Sequence, residues 1–312
     1  MSPVALSEEV PFRRKFSAIY DVLSAGQLEA AVLQPLLYEH LPAECDTIAG
    51  YEVYGVDTTP EERPEAETLA ERGLLKAQKN EPARVGQKFS WLARLVKRGT
   101  SWVAPWDVRR VKTESTDNLT AVDQVKALDQ QSSRPKVVVA DSLYANQVFL
   151  AVFLLVTSVV ALVRLRQNLT LYEKPLPKPP GSKGAPRKHG PTFKIASAEG
   201  RAPDRTEAFH LGGQAIRLSA WHGLHLRKLP TLVGLALRVE FLKAAGTPRY
   251  QRPLWLFWTG PETVALPDLC LMCLWRFALE HTFRFLKQQV GLTAHCLTDN
   301  DRSVSFGLLA QL

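Results

Sequence analysis

The chain has 312 residues, a length that suits two domains or one domain with a large insertion. Hydrophobic residues make up 46% and charged residues 22%, which excludes a disordered or collagen-like chain. With 39 Lys and Arg against 31 Asp and Glu, the net charge of +8 favours a polyanionic partner.

Met1 to Glu9 show no basic stretch followed by an apolar run, so no secretory leader is expected. Four cysteines are too few for a disulfide scaffold, and a reducing, cytoplasmic location is the default. Residues 11–43 carry apolar side chains at helical spacing up to Pro42. Tyr51 to Asp57 alternates as a strand and is expected to stop in the Thr58-Thr59-Pro60 turn, ahead of a Glu-rich loop over 60–81. Strands are predicted at 88–96 and 102–111, separated by Lys97-Arg98-Gly99, then a polar helix over 119–131. Lys136 to Asp141 reads as a buried strand from its β-branched content.

Val148 to Val163 is uncharged but shorter than the roughly 17 residues a membrane span needs, and it carries Thr157 and Ser158. The reading is a helix from about 145 leading into a buried strand near 159–164, and no membrane association. The next segment is strongly basic: Arg164, Arg166, Lys174, Lys178, Lys183, Arg187, Lys188 and Lys194 face Glu173 alone. Pro175, Pro177, Pro179, Pro180 and Pro186 make it an extended loop. Strand signals return at 192–196, 215–221 and 232–241, then at 254–259, and one long helix is expected from Pro267 to near Gly291.

That last helix carries the chemical signal. At about 100° per residue, Arg276, Glu280, Arg284 and Lys287 share a stripe about 80° wide, with apolar residues around most of the remainder. Such a helix is expected to be buried, with one carboxylate framed by three cations. Ordinary i,i+4 salt bridges would produce the same pairs. The strand-end aspartates shift the balance. Asp57 alone could be an Asx-turn residue and Asp141 alone a helix N-cap. Two such acids with Glu280 can hold two hard divalent cations, which would clamp the attacking and leaving oxygens of a phosphodiester displacement.

Here the sequence resembles a family, the DDE transposases of cut-and-paste bacterial insertion sequences. Arg276, Glu280 and Lys287 fall in register with the family's Tyr-x2-Arg-x3-Glu-x6-Lys signature, with Cys273 in the Tyr position. Val56 to Thr68 resembles the segment of the first Asp, and Val137 to Asn146 that of the second. Gly86 to Leu92, Val163 to Asn168 and Gly184 to Gly190 look like further landmarks. The resemblance implies an RNase H-like α/β fold: a mixed sheet with flanking helices, interrupted by a β-rich insertion. It implies Asp57, Asp141 and Glu280 as catalytic ligands of two Mg2+ or Mn2+ ions. Arg276 and Lys287 would contact DNA phosphates, with Arg284, Lys183, Arg187 and Lys188 as further DNA-binding candidates. The partners would be transposon-end and target DNA, with a homodimer in the DNA complex.

The organisation expected is a residual helical region over 1–45 and a first core part over 46–166. The basic loop and β-rich insertion would span 167–252, the last strand and catalytic helix 253–292, and an atypical tail 293–312. Only 56 residues precede Asp57, so the chain is expected to be shortened at both ends. The competing reading is an inactive remnant that at most binds DNA. Cys270 and Cys273 have half a zinc-site spacing without a second pair and read as core residues. His222 and His225 read as ordinary polar residues, and Trp255 and Trp258 as core aromatics.

Overall fold

The computed structural model describes residues 47–288, apart from 65, 68, 70, 76–81, 83, 96–102, 179–180 and 182. Of residues 1–46 it describes Asp21, Val32, Pro35, Leu36 and Glu39 alone. Most of the helical stretch expected over 11–43, the Lys97-Arg98-Gly99 separator and the tail 293–312 therefore lie outside the described residues.

The fold is mixed α/β: one large mixed sheet with few helices. Its first part comprises β1 (Glu52–Glu62), β2 (Gly73–Leu75), β3 (Arg84–Leu95), β4 (Val103–Arg110), helix α1 (Asp117–Gln131) and β5 (Lys136–Ala140). Helix α2 (Gln147–Leu150) runs into a 3-10 turn (Ala151–Leu154) before β6 (Val159–Arg164). Then come β7 (Thr170–Glu173), β8 (Thr192–Lys194), β9 (Arg205–Leu211), β10 (Gln214–Leu226), β11 (Leu229–Phe241) and β12 (Leu254–Trp258). Helices α3 (Leu266–Trp275) and α4 (Phe277–Gln288) follow.

The strand order is β2-β3-β1-β5-β6-β12-β11-β10-β7-β8, with β4 on β3 and β9 on β10. The pairs β1–β5 and β5–β6 are parallel, and the remaining pairs are antiparallel. Every residue of β5 is buried, as a central strand covered on both faces must be. Alternation sorts the side chains of β1 onto two faces. Val53 joins a core with Trp91, Leu269, Leu279 and Phe283, under α3 and α4. Tyr54 and Val56 join the opposite core with Ala121, Val125, Tyr144 and Phe149, under α1 and α2.

Several sequence expectations need correction. β1 does not turn at Thr58-Thr59-Pro60 but continues to Glu62, paired with β3. Past Val56 the strand has lost β5 as a neighbour, and an edge tolerates a proline without an N–H. The Glu-rich loop contains β2, and β3 begins at Arg84, earlier than expected. The basic segment is not loop throughout, because β7 and β8 bracket it. β9, whose side chains are mostly exposed, escaped the hydrophobic pattern. The terminal helix is two helices, breaking at Arg276, where i→i−3 bonds from Arg276 N–H to Cys273 O (3.2 Å) and Leu279 N–H to Arg276 O (3.0 Å) tighten the backbone. Nor is it apolar all round: in α4 Leu279, Thr282, Phe283 and Leu286 are buried while Glu280, His281, Arg284 and Phe285 are exposed. No helix among the described residues is long and apolar enough to cross a membrane.

Candidate active site

The parallel ladder between β1 and β5 ends with Val56 opposite Ala140. Asp57 and Asp141 are the next residue on each strand, so adjacent strands deliver both carboxylates to one edge. The Asp141 side chain accepts the Leu143 N–H at 2.7 Å, an Asx-turn that aims the carboxylate. It is not the cap of the next helix; Asn146 is, accepting from Val148 and Phe149 N–H.

Glu280 approaches Asp57 from α4, the two sharing Arg276 as a partner. That helix can lie close on β1 because position 55 is glycine: a Cβ there would stand 2.4 Å from Leu279 Cδ1. Phe283 meets Trp91 edge-on at 5.4 Å, and Lys287 Nζ donates to Pro60 O at 3.0 Å, so the helix is fastened along its length.

Arg276 sits at the helix break and holds two of the acids. Its guanidinium donates to Asp57 Oδ2 at 3.0 Å and to Glu280 Oε1 at 3.1 Å. The other Asp57 oxygen accepts the Thr58 N–H at 2.8 Å. The Arg276 side chain is 9% exposed, Asp57 22% and Glu280 50%. The Asp57 arm is therefore the strong one; the Glu280 arm is a half-exposed i,i+4 pair of about 0.3–0.5 kcal/mol. Burial pushes the Asp57 carboxyl up to about 6, against the pull of Arg276 and the Thr58 N–H and with the Asp141 and Glu280 charges adding to the rise. Asp57 thus feels both other acids across long sequence separations.

Among the described residues no three His, Cys, Asp or Glu side chains are gathered tightly enough to hold a metal ion as they stand. The donor chemistry nevertheless fits a hard divalent cation: three carboxylates, two just beyond the paired ends of adjacent strands and one on the helix packed on β1.

The other candidates are scattered. Lys287 is half-buried; burial pulls its ammonium down, against the raising charges of Glu61 and Glu62. Glu61 itself is buried beside Arg63 at 2.9 Å, and burial raises its carboxyl to about 7 despite Arg63 and Lys287. Arg284 is exposed on the outer face of α4, and Lys183, Arg187 and Lys188 are exposed on the loop between β7 and β8. That loop is closed at its base by Gly190 N–H to Glu173 O (2.9 Å), Glu173 N–H to Pro191 O (3.0 Å) and a 3.0 Å contact between His189 Nδ1 and His225 Nε2. Cys270 and Cys273 are buried in the core, and burial pushes both thiols up, to about 12 and about 11, as for structural cysteines. Sequence reasoning missed Gly55, Thr58 and Tyr144. The signal available was their position beside the aspartates, in Gly-Val-Asp-Thr and Asp-Ser-Leu-Tyr.

Residues 1–227 match the family described as DDE superfamily endonuclease. The chain belongs to that family. Members generally use divalent metal ions, and membership implies nuclease or transposase chemistry on DNA. The matched span contains Asp57 and Asp141, while Glu280 lies beyond it. No curated protein matches the chain.

Proposed function

We propose that the chain is a transposase of the group with the Tyr-x2-Arg-x3-Glu-x6-Lys signature, cutting and joining DNA at insertion-sequence ends with Mg2+ or Mn2+. Asp57, Asp141 and Glu280 would ligate the ions. The observation that carries this reading is geometric: Asp57 and Asp141 follow the last paired residues of adjacent parallel strands, and Arg276 on α4's leading edge bridges Asp57 to Glu280. The strand order β4-β3-β1-β5-β6, antiparallel up to β1 and parallel beyond it, supports an RNase H-like core.

When bound, a pair of such ions supplies activation of the attacking oxygen and stabilisation of the leaving one. The chain's own groups do the positioning. The Thr58 N–H and Arg276 fix both oxygens of Asp57, and the Leu143 N–H fixes Asp141. Arg276, being buried against Asp57, serves as a counter-charge within the site rather than as a free phosphate contact. Lys183, Arg187, Lys188 and Arg284, which are exposed, are better placed to neutralise DNA phosphates.

The test is metal-dependent nicking of plasmid DNA by the full chain. Asp57→Asn, Asp141→Asn and Glu280→Gln should each abolish nicking while DNA retention on a filter persists. Undiminished nicking by all three would refute the assignment.

A further inference from the structure

We propose that Tyr144 is a positioning residue that sets the spacing of Asp57 and Asp141 by tying their two segments together through Thr58. The inference rests on the metal-binding reading above. The β1–β5 ladder stops at Val56 and Ala140, one residue short of both aspartates, so the sheet does not bond their backbones to each other. The Tyr144 hydroxyl bridges the segments just beyond that point, 2.9 Å from Thr58 Oγ1.

Each end of this tie is coupled to one acid. Tyr144 stands three residues after Asp141, and its N–H donates to the Asp141 carbonyl at 3.2 Å. Thr58 follows Asp57, and its N–H donates to Asp57 Oδ1 at 2.8 Å. Asp57 and Thr58 project from opposite faces of β1, so the tie grips the Asp57 backbone from the side away from α4.

Packing alone does not require the hydroxyl. The Tyr144 ring is fully buried and meets Phe149 edge-on at 5.0 Å, contacts a phenylalanine would also make. A buried hydroxyl is costly unless bonded, and Thr58 satisfies it. Burial raises the phenol's ionisation far above its ordinary range, against the Thr58 bond and with the Asp57, Asp117 and Asp141 charges adding, so the group remains a neutral O–H.

The test is calorimetric titration of the full chain with Mn2+, alongside melting curves. Tyr144→Phe and Thr58→Val should each weaken Mn2+ binding about tenfold, the low end for a residue that orients a ligand. The double variant should be no weaker than either single, because both remove the same bond. Thr58→Ser should restore affinity, and the Thr58 pair carries the same test should Tyr144→Phe fail to fold. Asp57→Asn should abolish binding. If it does so while Tyr144→Phe and Thr58→Val keep wild-type affinity, the positioning role is overturned and the metal reading stands. If the wild type binds no Mn2+, or binds it regardless of Asp57, both fall.

Discussion

The acidic site at Asp57 and the basic loop between β7 and β8 are held in opposite ways. Asp57 is fixed by Arg276, 219 residues away in the chain, and by the neighbouring Thr58 N–H, under a helix packed directly on β1. The loop is pinned at its base by backbone bonds and the His189–His225 contact, and Lys183, Arg187 and Lys188 lie open to solvent. The difference follows from the tasks proposed for the two regions. In-line displacement needs carboxylates placed to a fraction of an ångström, which calls for buried, long-range ties. Neutralising a phosphate backbone needs charge within reach, and an extended loop supplies that without a fixed geometry.

If this contrast is right, the largest loss of stability should come from Arg276→Ala. It leaves the partly buried Asp57 without its counter-charge, and the cost should be about 3 kcal/mol, the low end for breaking a buried pair. Chemical denaturation would measure it, and a loss below about 1 kcal/mol would mean that the site is held by other contacts.

Glu61 offers the next effect, through pH. Its folded value of about 7 lies above the ordinary 4.5, so the native state holds the proton more tightly. The stabilisation is complete below about 4.5 and is lost as pH rises to about 7. Glu61→Gln lacks that slope and should gain on the wild type by up to about 3 kcal/mol between pH 5 and pH 8. Parallel pH profiles would contradict the burial argument.

Gly55→Ala should cost about 1–3 kcal/mol by pushing Leu279 away from β1. The melting temperature should fall by a few degrees per kcal/mol in a chain of this size. The smallest change in stability, under about 0.5 kcal/mol, is expected for Lys183→Ala/Arg187→Ala/Lys188→Ala, since all three are exposed. Its effect belongs to binding: the log–log salt slope for DNA should flatten by up to about 0.9 per lost contact. A salt dependence equal to that of the wild type would make the loop an ordinary solvated one.

The central elements were legible in the sequence because their patterns are local. The valines of β5, the alternation at Tyr51 to Asp57 and the charge spacing in the last helix each reflect one element in one environment. The extension of β1 through Pro60 was not legible, because a proline is tolerated only once β5 has ended, which is a tertiary fact. The break at Arg276 was hidden for a similar reason. Leu271 to Leu286 reads as one continuous helical pattern, while the bend coincides with an arginine that reaches a strand more than two hundred residues away. Glu280, Asp57 and Asp141 could be nominated from motif order, and the i,i+4 spacing offered Arg276 to Glu280, but the reach of Arg276 to Asp57 could not be read. Thr58 and Tyr144 carry no pattern of their own and matter through a bond between segments far apart in the chain.

The most direct measurement is iron-directed self-cleavage of the protein. Fe2+ replacing Mg2+, with ascorbate and peroxide, releases radicals that cut the backbone nearest the ion, and mass spectrometry locates the cuts. Cuts should cluster around residues 57, 141 and 280 together, be suppressed by excess Mg2+ and be lost in Asp57→Asn. Cuts confined to other segments, or cuts at these positions that persist in Asp57→Asn, would contradict a shared metal site at the three acids.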